Sequence, residues 1–160
     1  MKNDKTAKTY IEKLGFKDDD LYEKNHDELM QFLVNNKKFI AKYIGTQTGL
    51  YPVNPSGIEL ELEYCLKNGI YVNGFVDAYL TYNRNGRELK FLIEIKTKIN
   101  SFGAVLRELN YYKSVLNYNW IILFSNDDKY RKLFEEQGII FVTEKDINNL
   151  KINMGEVQHT

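Results

Sequence analysis

The sequence predicts one mixed α/β domain, in which a central sheet of about five strands is flanked by helices. The chain has 160 residues, about the size of a single domain with its own core. Its apolar residues recur at helical spacing over about 4–44 and alternate with polar residues from residue 57 onward. Two short apolar runs around a helical pattern then lead to residue 143, which is typical of a crossover connection. We expect one domain, 1–160, with a helical part at about 4–44 and a sheet core at about 57–143.

The helical part contains two periodic regions. The first runs from Asp4 to Leu14, and the second runs from about Asp20 to Tyr43. The pair Asn35-Asn36 offers a break that would divide the second region into two helices. Both prolines and several turn-forming residues follow within 45–57, which is predicted to be a loop.

A three-stranded antiparallel meander is predicted next, because Asn-Gly pairs at 68–69 and 85–86 favour hairpins. A two-residue turn at Asn85-Gly86 makes Arg84 face Arg87. The same register gives one hairpin surface only apolar pairs, namely Val76 with Ile95, Ala78 with Ile93, and Leu80 with Phe91. A strict turn at the earlier Asn-Gly pair would set Leu60 against Asp77, so a bulge near Asn73-Gly74 is needed to restore agreement between the apolar faces.

The last third of the chain completes the sheet. A helix is predicted over 101–116, with Ser101 as its N-cap. Two apolar runs, 120–125 and 139–143, are predicted to be buried strands, and 126–138 between them is predicted to be a capped helix.

Composition limits the classes of partner and compartment. Lys plus Arg and Asp plus Glu both total 22, so affinity for a polyanion must come from a local arrangement of charge. The lone cysteine, Cys65, is expected to be a buried thiol on a strand in a reducing compartment. The N-terminus lacks a signal-peptide pattern, and no segment approaches the roughly 18 apolar residues of a membrane span. We expect a cytoplasmic protein with no membrane partner.

The second hairpin brings two acids together. In its register Asp77 faces Glu94, and Lys96 lies two residues later on the same face. Opposed like charges destabilise a sheet, and a divalent cation would compensate for them. Carboxylate oxygens and the Ile95 carbonyl are hard ligands of the kind that Mg²⁺, or Mn²⁺, prefers. The alternative is a solvated sheet face, formed by Asp77, Glu94, Lys96 and Lys98, on which Lys96 neutralises its neighbours.

These residues resemble the PD-(D/E)XK nuclease superfamily, which has the restriction-endonuclease-like fold. The matching segments are "GFVD", ending at Asp77, and "IEIK", containing Glu94 and Lys96, with Val76 in place of the proline. The resemblance implies that the two acids bind Mg²⁺ and that the lysine assists catalysis. It also implies a core of helix, three strands, helix and strand, in the order predicted here.

The resemblance further implies accessory groups. An acidic residue on the first core helix is expected near the site, and Glu28 is the best candidate. With the bulge near Asn73-Gly74, one of the alternating glutamates Glu59, Glu61 and Glu63 on the preceding strand could also reach the metal ion, and Glu61 is the chosen candidate. The helix after Lys96 is expected to present Arg107 and Lys113 to the site, while Glu108 stands where a glutamine is more usual. We expect nucleic acid to contact Lys98, Ser101, Arg107 and Lys113. Neither His26 nor His159 forms a ligand cluster, so zinc is not expected.

The predicted function is therefore a Mg²⁺-dependent nuclease that hydrolyses phosphodiester bonds, in DNA more than in RNA. Such a small enzyme could dimerise or act within a larger assembly. The alternative is a non-catalytic module on the same fold that binds nucleic acid or a partner protein. The neutral charge, the many aromatic residues and the small size favour this alternative.

Overall fold

The computed structural model describes residues 25–52, 55–68, 70–115 and 120–155. The helix predicted over Asp4–Leu14 lies outside the described residues, as does the start of the second helical region. The described helices are α1 (His26–Asn35), α2 (Lys37–Thr48), α3 (Phe102–Val115), α4 (Arg131–Glu136) and α5 (Glu144–Asn153). The strands are β1 (Glu59–Asn68), β2 (Tyr71–Arg84), β3 (Arg87–Ile95), β4 (Trp120–Phe124) and β5 (Ile140–Val142).

The five strands form one mixed sheet in the order β1-β2-β3-β4-β5. The first three strands are antiparallel neighbours, whereas β4 is parallel to β3 and β5 is parallel to β4. Helix α3 connects β3 to β4, and α4 connects β4 to β5. This arrangement confirms the predicted class, a mixed α/β domain with about five strands flanked by helices.

The helical region before the sheet is divided where the sequence predicted a break. Asn36 is the C-cap of α1 and the N-cap of α2, and its side-chain amide donates to the Phe32 carbonyl at 2.8 Å. Helix α2 continues to Thr48, so the loop predicted from residue 45 is wrong for its first four residues. Gly45 is buried against the Tyr51 ring, where a side chain would clash, and the helix ends instead at Gly49, whose φ of 79° is left-handed.

The β2–β3 hairpin has the predicted register as far as Ala78 and Ile93, but the predicted pairs Val76 with Ile95 and Asp77 with Glu94 lie beyond the paired part of the strands. Arg84 faces Arg87, and the pairs Ala78 with Ile93 and Leu80 with Phe91 are formed. Asn85 and Gly86 have φ values of 53° and 80°, so both turn residues are in the left-handed region, as a type I′ turn requires. The local Asn-Gly signal is therefore sufficient to align these two strands.

The β1–β2 pair contains the predicted bulge. Leu66 faces Gly74 and Lys67 faces Val72, so Asn73 is the extra residue on β2. Gly74 has a φ of 141°, which a glycine adopts without strain. Asn68 faces Tyr71, so the strict two-residue turn at Asn68-Gly69 is not formed.

The sheet has an apolar core on each face. Helices α1, α2 and α5 pack on one face, where the larger core contains Leu33, Ile44, Phe91, Phe124 and Ile147. Residues of α3 and α4 pack on the other face, where Leu109 and Phe134 meet Leu123 and Phe141. The sheet and the helices on its two faces therefore form three layers, with one core between each pair of layers.

Strands β1 and β2 change sides within the sheet. Val76 packs with Leu66 and Leu92 beside α3, and not with Ala78 in the larger core. The prediction that Val76 shares a face with Ala78 and Leu80 is therefore wrong. The flanking pairs place Glu63 opposite Asp77, and Glu63 has a φ of 51°, which interrupts the two-residue period of the strand. The change of side occurs at this position.

The C-terminal elements differ from the prediction in two ways. Helix α4 covers only Arg131–Glu136, because residues before it are used in loop contacts: the Asp127 carboxylate accepts from the Ile99 N–H at 2.8 Å. Helix α5 was not predicted, although Thr143 and Asp146 form a capping box at its start.

Two further predictions concern exposure. Cys65 lies on β1 as predicted, but it is half-buried and not fully buried. Within the described ranges, no helix combines the length and apolar character needed to cross a membrane.

Candidate functional site

Asp77 is held where β2 and β3 stop pairing. The register between these strands ends at Ala78 and Ile93, and beyond it the Asp77 Oδ2 accepts a hydrogen bond from the Ile95 N–H at 2.7 Å. The Asp77 Oδ1 lies 3.0 Å from Nε2 of His26, the first residue of α1. The side chain of Asp77 is thus fixed by β3 on one side and by α1 on the other.

Glu94 is a buried carboxyl group on β3. Its residue is 7% exposed, and its Oε2 lies 3.6 Å from the Lys96 Nζ. Its Oε1 is buried and makes no hydrogen bond in the part of the chain that the structure describes. Burial, followed by the negative charges of Asp77 and Glu108, raises the pKa of Glu94 to about 8. The positive charge of Lys96 lowers this pKa, but burial and the two neighbouring acids outweigh it.

Lys96 connects the sheet to α3. Its Nζ lies 2.7 Å from the Glu108 Oε1, closer than it lies to Glu94. Burial alone would lower the pKa of Lys96, but the hydrogen bond from Lys96 to Glu108 and the charges of the surrounding acids raise it overall. Lys96 is consequently a protonated, positively charged group.

Glu108 and Tyr112, two residues of α3, hold the Lys96 amine in place. The Tyr112 hydroxyl donates to the Glu108 Oε2 at 3.0 Å, across one turn of the helix. Burial would raise the pKa of Glu108, but its hydrogen bond with Lys96 and the charge of Lys96 lower it overall. The charged Glu108 therefore holds the lysine amine beside Glu94. Sequence reasoning noted Glu108 only as a departure from a family pattern and missed this contact.

The structure brings the three predicted residues together. The charge of Asp77 acts on the pKa values of both Glu94 and Lys96. The alternative of a solvated sheet face does not fit Glu94, which is buried. Ile95 lies at the end of β3, where its N–H is fixed by Asp77.

The predicted accessory residues lie elsewhere. Glu28 is exposed and accepts from the Asn25 N–H at 3.0 Å in the capping box of α1, so it does not contact the predicted cluster. Glu61 is exposed and faces Tyr79 across the strands. The side chain from α1 that does reach Asp77 is His26, which sequence reasoning set aside. No local signal reveals this contact, since 51 positions separate the two residues.

The residues predicted to contact nucleic acid are all on the surface. Lys98, Ser101, Arg107 and Lys113 are exposed. Ser101 has the predicted N-cap role, because its hydroxyl accepts from the Ala104 N–H at 3.2 Å. Lys113 lies in the last turn of α3.

The donor groups fit a small, hard cation. Glu94 offers a buried oxygen that lacks a partner among the described residues, and Asp77 offers a second carboxylate close enough to act on its charge. In the described segments, no three His, Cys, Asp or Glu side chains are grouped closely enough to hold a metal ion. Mg²⁺ requires only one or two carboxylates from a protein, since water and substrate oxygens complete its octahedron.

Comparison with known proteins identifies no relative of this chain. No protein-family model, curated protein or solved structure matches this chain.

Proposed function

We propose that this protein is a metal-dependent nuclease that hydrolyses phosphodiester bonds, with DNA as the favoured substrate. The observation that carries the proposal is Glu94, a buried carboxyl group with an unpartnered oxygen and a pKa raised to about 8. Ionising a buried acid whose neighbours include two other acids is costly to a fold, and strongly perturbed acids cluster at functional sites. A divalent cation shared by Asp77 and Glu94 would remove this cost.

The residues that would hold the cation are Asp77 and Glu94, with the Ile95 carbonyl as a third ligand. Bound Mg²⁺ or Mn²⁺ would polarise the scissile phosphate and lower the pKa of water. The protein keeps Asp77 in place through the Ile95 N–H and His26, so that this carboxylate has a fixed orientation before any ligand arrives.

Lys96 would stabilise the negative charge that develops on the phosphate during attack. The raised pKa of Lys96 favours this electrostatic role over that of a general base, because a protonated amine accepts no proton. Glu108 keeps the amine near the acids. In the overall hydrolysis, a water oxygen bonds to phosphorus, a phosphorus–oxygen ester bond breaks, and the leaving oxygen acquires a proton.

The order of elements supports membership of the PD-(D/E)XK superfamily as part of this proposal. A helical region, three antiparallel strands, a helix and a strand parallel to the third follow one another along the chain. The acid, acid and lysine occupy the second and third strands and the residue after the third.

Cleavage assays with single substitutions test the proposal. Linear and circular DNA, single-stranded DNA and RNA are incubated with Mg²⁺ or Mn²⁺. Asp77→Asn, Glu94→Gln and Lys96→Met are each expected to reduce the cleavage rate at least ~100-fold, because each removes a ligand or the charge opposite the transition state. Lys132→Met, which removes an exposed charge on α4, is the matched control and should cleave normally. Undiminished cleavage by Glu94→Gln or Lys96→Met would refute the assignment.

A non-catalytic interaction module is the second candidate, and an exposed apolar surface favours it. The outer β1–β2 hairpin exposes Ile70, Tyr71, Val72 and Phe75, which are between 58% and 89% exposed. If the protein is instead a module that pairs with a second copy of itself, no cleavage products should form with either Mg²⁺ or Mn²⁺. The wild-type protein should then self-associate in sedimentation experiments, whereas the double variant Tyr71→Ser, Phe75→Ser should remain monomeric.

A further inference from the structure

A cavity lies at the other end of the β2–β3 hairpin from the acidic site. It has a volume of about 490 Å³ and is lined by Leu50, Arg84, Asn85, Arg87, Leu89 and Trp120. Arg84 follows Asp77 by seven positions on β2, which corresponds to roughly 23 Å of extended strand. The cavity is therefore separate from the acidic site described above.

Two arginines oppose each other at this cavity. Arg84 and Arg87 are direct cross-strand partners, an arrangement that brings the Cβ atoms of two like charges to about 5 Å. Arg84 donates to the Tyr51 carbonyl at 3.0 Å, which is a neutral partner. Among the residues that the structure describes, no carboxylate forms an ion pair with either guanidinium. Within the described residues, the pair is thus a local double positive charge with no carboxylate opposite it.

Apart from Asn85, the rest of the lining is apolar. Leu89 is buried, while Leu50 and Trp120 are half-buried and pack against the larger core. Trp120 is the first residue of β4 and lies opposite Phe91 of β3. The cavity therefore combines a flat aromatic ring and aliphatic groups with two positively charged guanidinium groups.

We propose that this cavity binds a nucleoside phosphomonoester, either as a free mononucleotide or as the phosphorylated end of a nucleic-acid strand. A terminal phosphate carries close to two negative charges at neutral pH, matching the arginine pair, and guanidinium groups bind phosphate oxygens in pairs. The base fits the apolar part, since bases stack on aromatic side chains. The volume is also within the range of about 300–1,000 Å³ usual for small-molecule sites. The proposal is independent of the nuclease assignment.

The test measures binding of AMP by isothermal titration calorimetry in the presence of EDTA, so that no cleavage occurs. The wild-type protein should bind AMP at least ~10-fold more tightly than adenosine or inorganic phosphate, because each of these lacks half of the matching groups. Arg87→Gln should weaken AMP binding at least ~10-fold. Lys132→Gln, a matched loss of one exposed charge, should bind AMP as the wild type does.

A thermal melt separates lost binding from lost structure. Without ligand, Arg87→Gln should melt at or above the wild-type temperature, since the substitution removes a like-charge contact. AMP should raise the melting temperature of the wild type and leave that of Arg87→Gln unchanged. Asp77→Asn should still bind AMP, which distinguishes failure of this site from failure of the proposed cleavage site.

Competition with short oligonucleotides distinguishes the two ligand sources. If a 5′- or 3′-phosphorylated strand displaces AMP and its hydroxyl counterpart does not, the phosphorylated end of a strand is a ligand. If neither strand displaces AMP, the ligand is the free nucleotide. The proposal is overturned if AMP does not bind, if Arg87→Gln binds it equally well, or if adenosine or inorganic phosphate binds as tightly as AMP.

Discussion

Folding makes Glu94 harder to ionise. Burial is the main cause, and the charges of Asp77 and Glu108 add to it, so the pKa rises from an ordinary value of 4.5 to about 8. Between these values the unfolded chain loses a proton that the folded protein retains. The free energy of unfolding therefore decreases as pH rises through this window, in the absence of a metal ion.

This linkage predicts a specific pH dependence. In EDTA, the denaturant midpoint of the wild type should fall between pH 5 and pH 8 more than that of Glu94→Gln, because glutamine has no proton to lose. Urea titrations followed by circular dichroism at several pH values measure the difference. Equal slopes for the two proteins would contradict the raised pKa.

Glu108 acts on the site through Lys96. Glu108→Gln should reduce cleavage about 10–100-fold, because the amine of Lys96 loses the 2.7 Å ion pair that positions it. Tyr112→Phe removes only the hydrogen bond to Glu108 and should have a smaller effect in the same direction. Glu136→Gln, an exposed change on α4, is the control. Initial rates on the preferred substrate measure the series, and a normal rate for Glu108→Gln would exclude the positioning role.

At the scale of elements, the β2–β3 turn aligns the candidate site. The register from Arg84 and Arg87 to Ala78 and Ile93 is set by two turn residues with positive φ. An alanine at the second turn position must adopt a conformation that L residues disfavour.

Gly86→Ala should therefore lower the free energy of unfolding by about 1–2 kcal/mol, since the φ of Gly86 is 80°. Gly57→Ala is the matched control, because that glycine has no strained φ and nothing lies within 4 Å of an added Cβ. Chemical denaturation of both variants measures the difference, and equal stability of the two would argue against a type I′ turn.

An element can be predicted from the sequence when the residues that determine it are close together in the chain. The second hairpin and the bulge near Gly74 were predictable, because turn dipeptides and strand alternation are local signals. The extension of α2 was not, since the sequence offers both Gly45 and Gly49 as helix stops and the helix ends at the second of them. Helix α5 could have been found from the capping pair Thr143 and Asp146.

The candidate site likewise combines contacts that local sequence patterns predict with contacts that only tertiary packing creates. The register of the paired part of the hairpin brings Asp77, Glu94 and Lys96 to one end of the sheet, so the sequence predicts their proximity, but not the hydrogen bond of Asp77 with the Ile95 N–H. The contact of His26 with Asp77 and the change of side at Glu63 depend on tertiary packing and a backbone conformation unusual for glutamate. These features have no sequence pattern of their own.

At the scale of the whole molecule, Arg131 joins the layers on the two sides of the sheet. It extends from α4 to the Tyr43 hydroxyl of α2 at 2.7 Å, to the Asp146 carboxylate of α5 at 2.9 Å, and to the Phe141 carbonyl at 3.3 Å. Burial, with the charge of Asp146, raises the pKa of Tyr43 to about 12, so the hydroxyl stays neutral.

Arg131→Met should reduce the free energy of unfolding by about 2–3 kcal/mol, because Asp146 and the Phe141 carbonyl lose a partly buried partner. The neighbouring Lys132→Met, which is exposed, should change it by less than ~0.5 kcal/mol. Equilibrium urea unfolding compares the two, and a neutral Arg131→Met would mean that the layers are held by apolar packing alone.

The first strand, β1, forms one edge of the sheet, with its outer backbone groups free of a neighbouring strand in the described residues. Exposed Glu59, Glu61 and Glu63 alternate along this edge. A second molecule that tried to extend the sheet here would bring its own glutamates against them, and the resulting repulsion opposes stacking of copies into fibrils. The acids that sequence reasoning considered for metal binding thus help to keep individual molecules apart at high concentration.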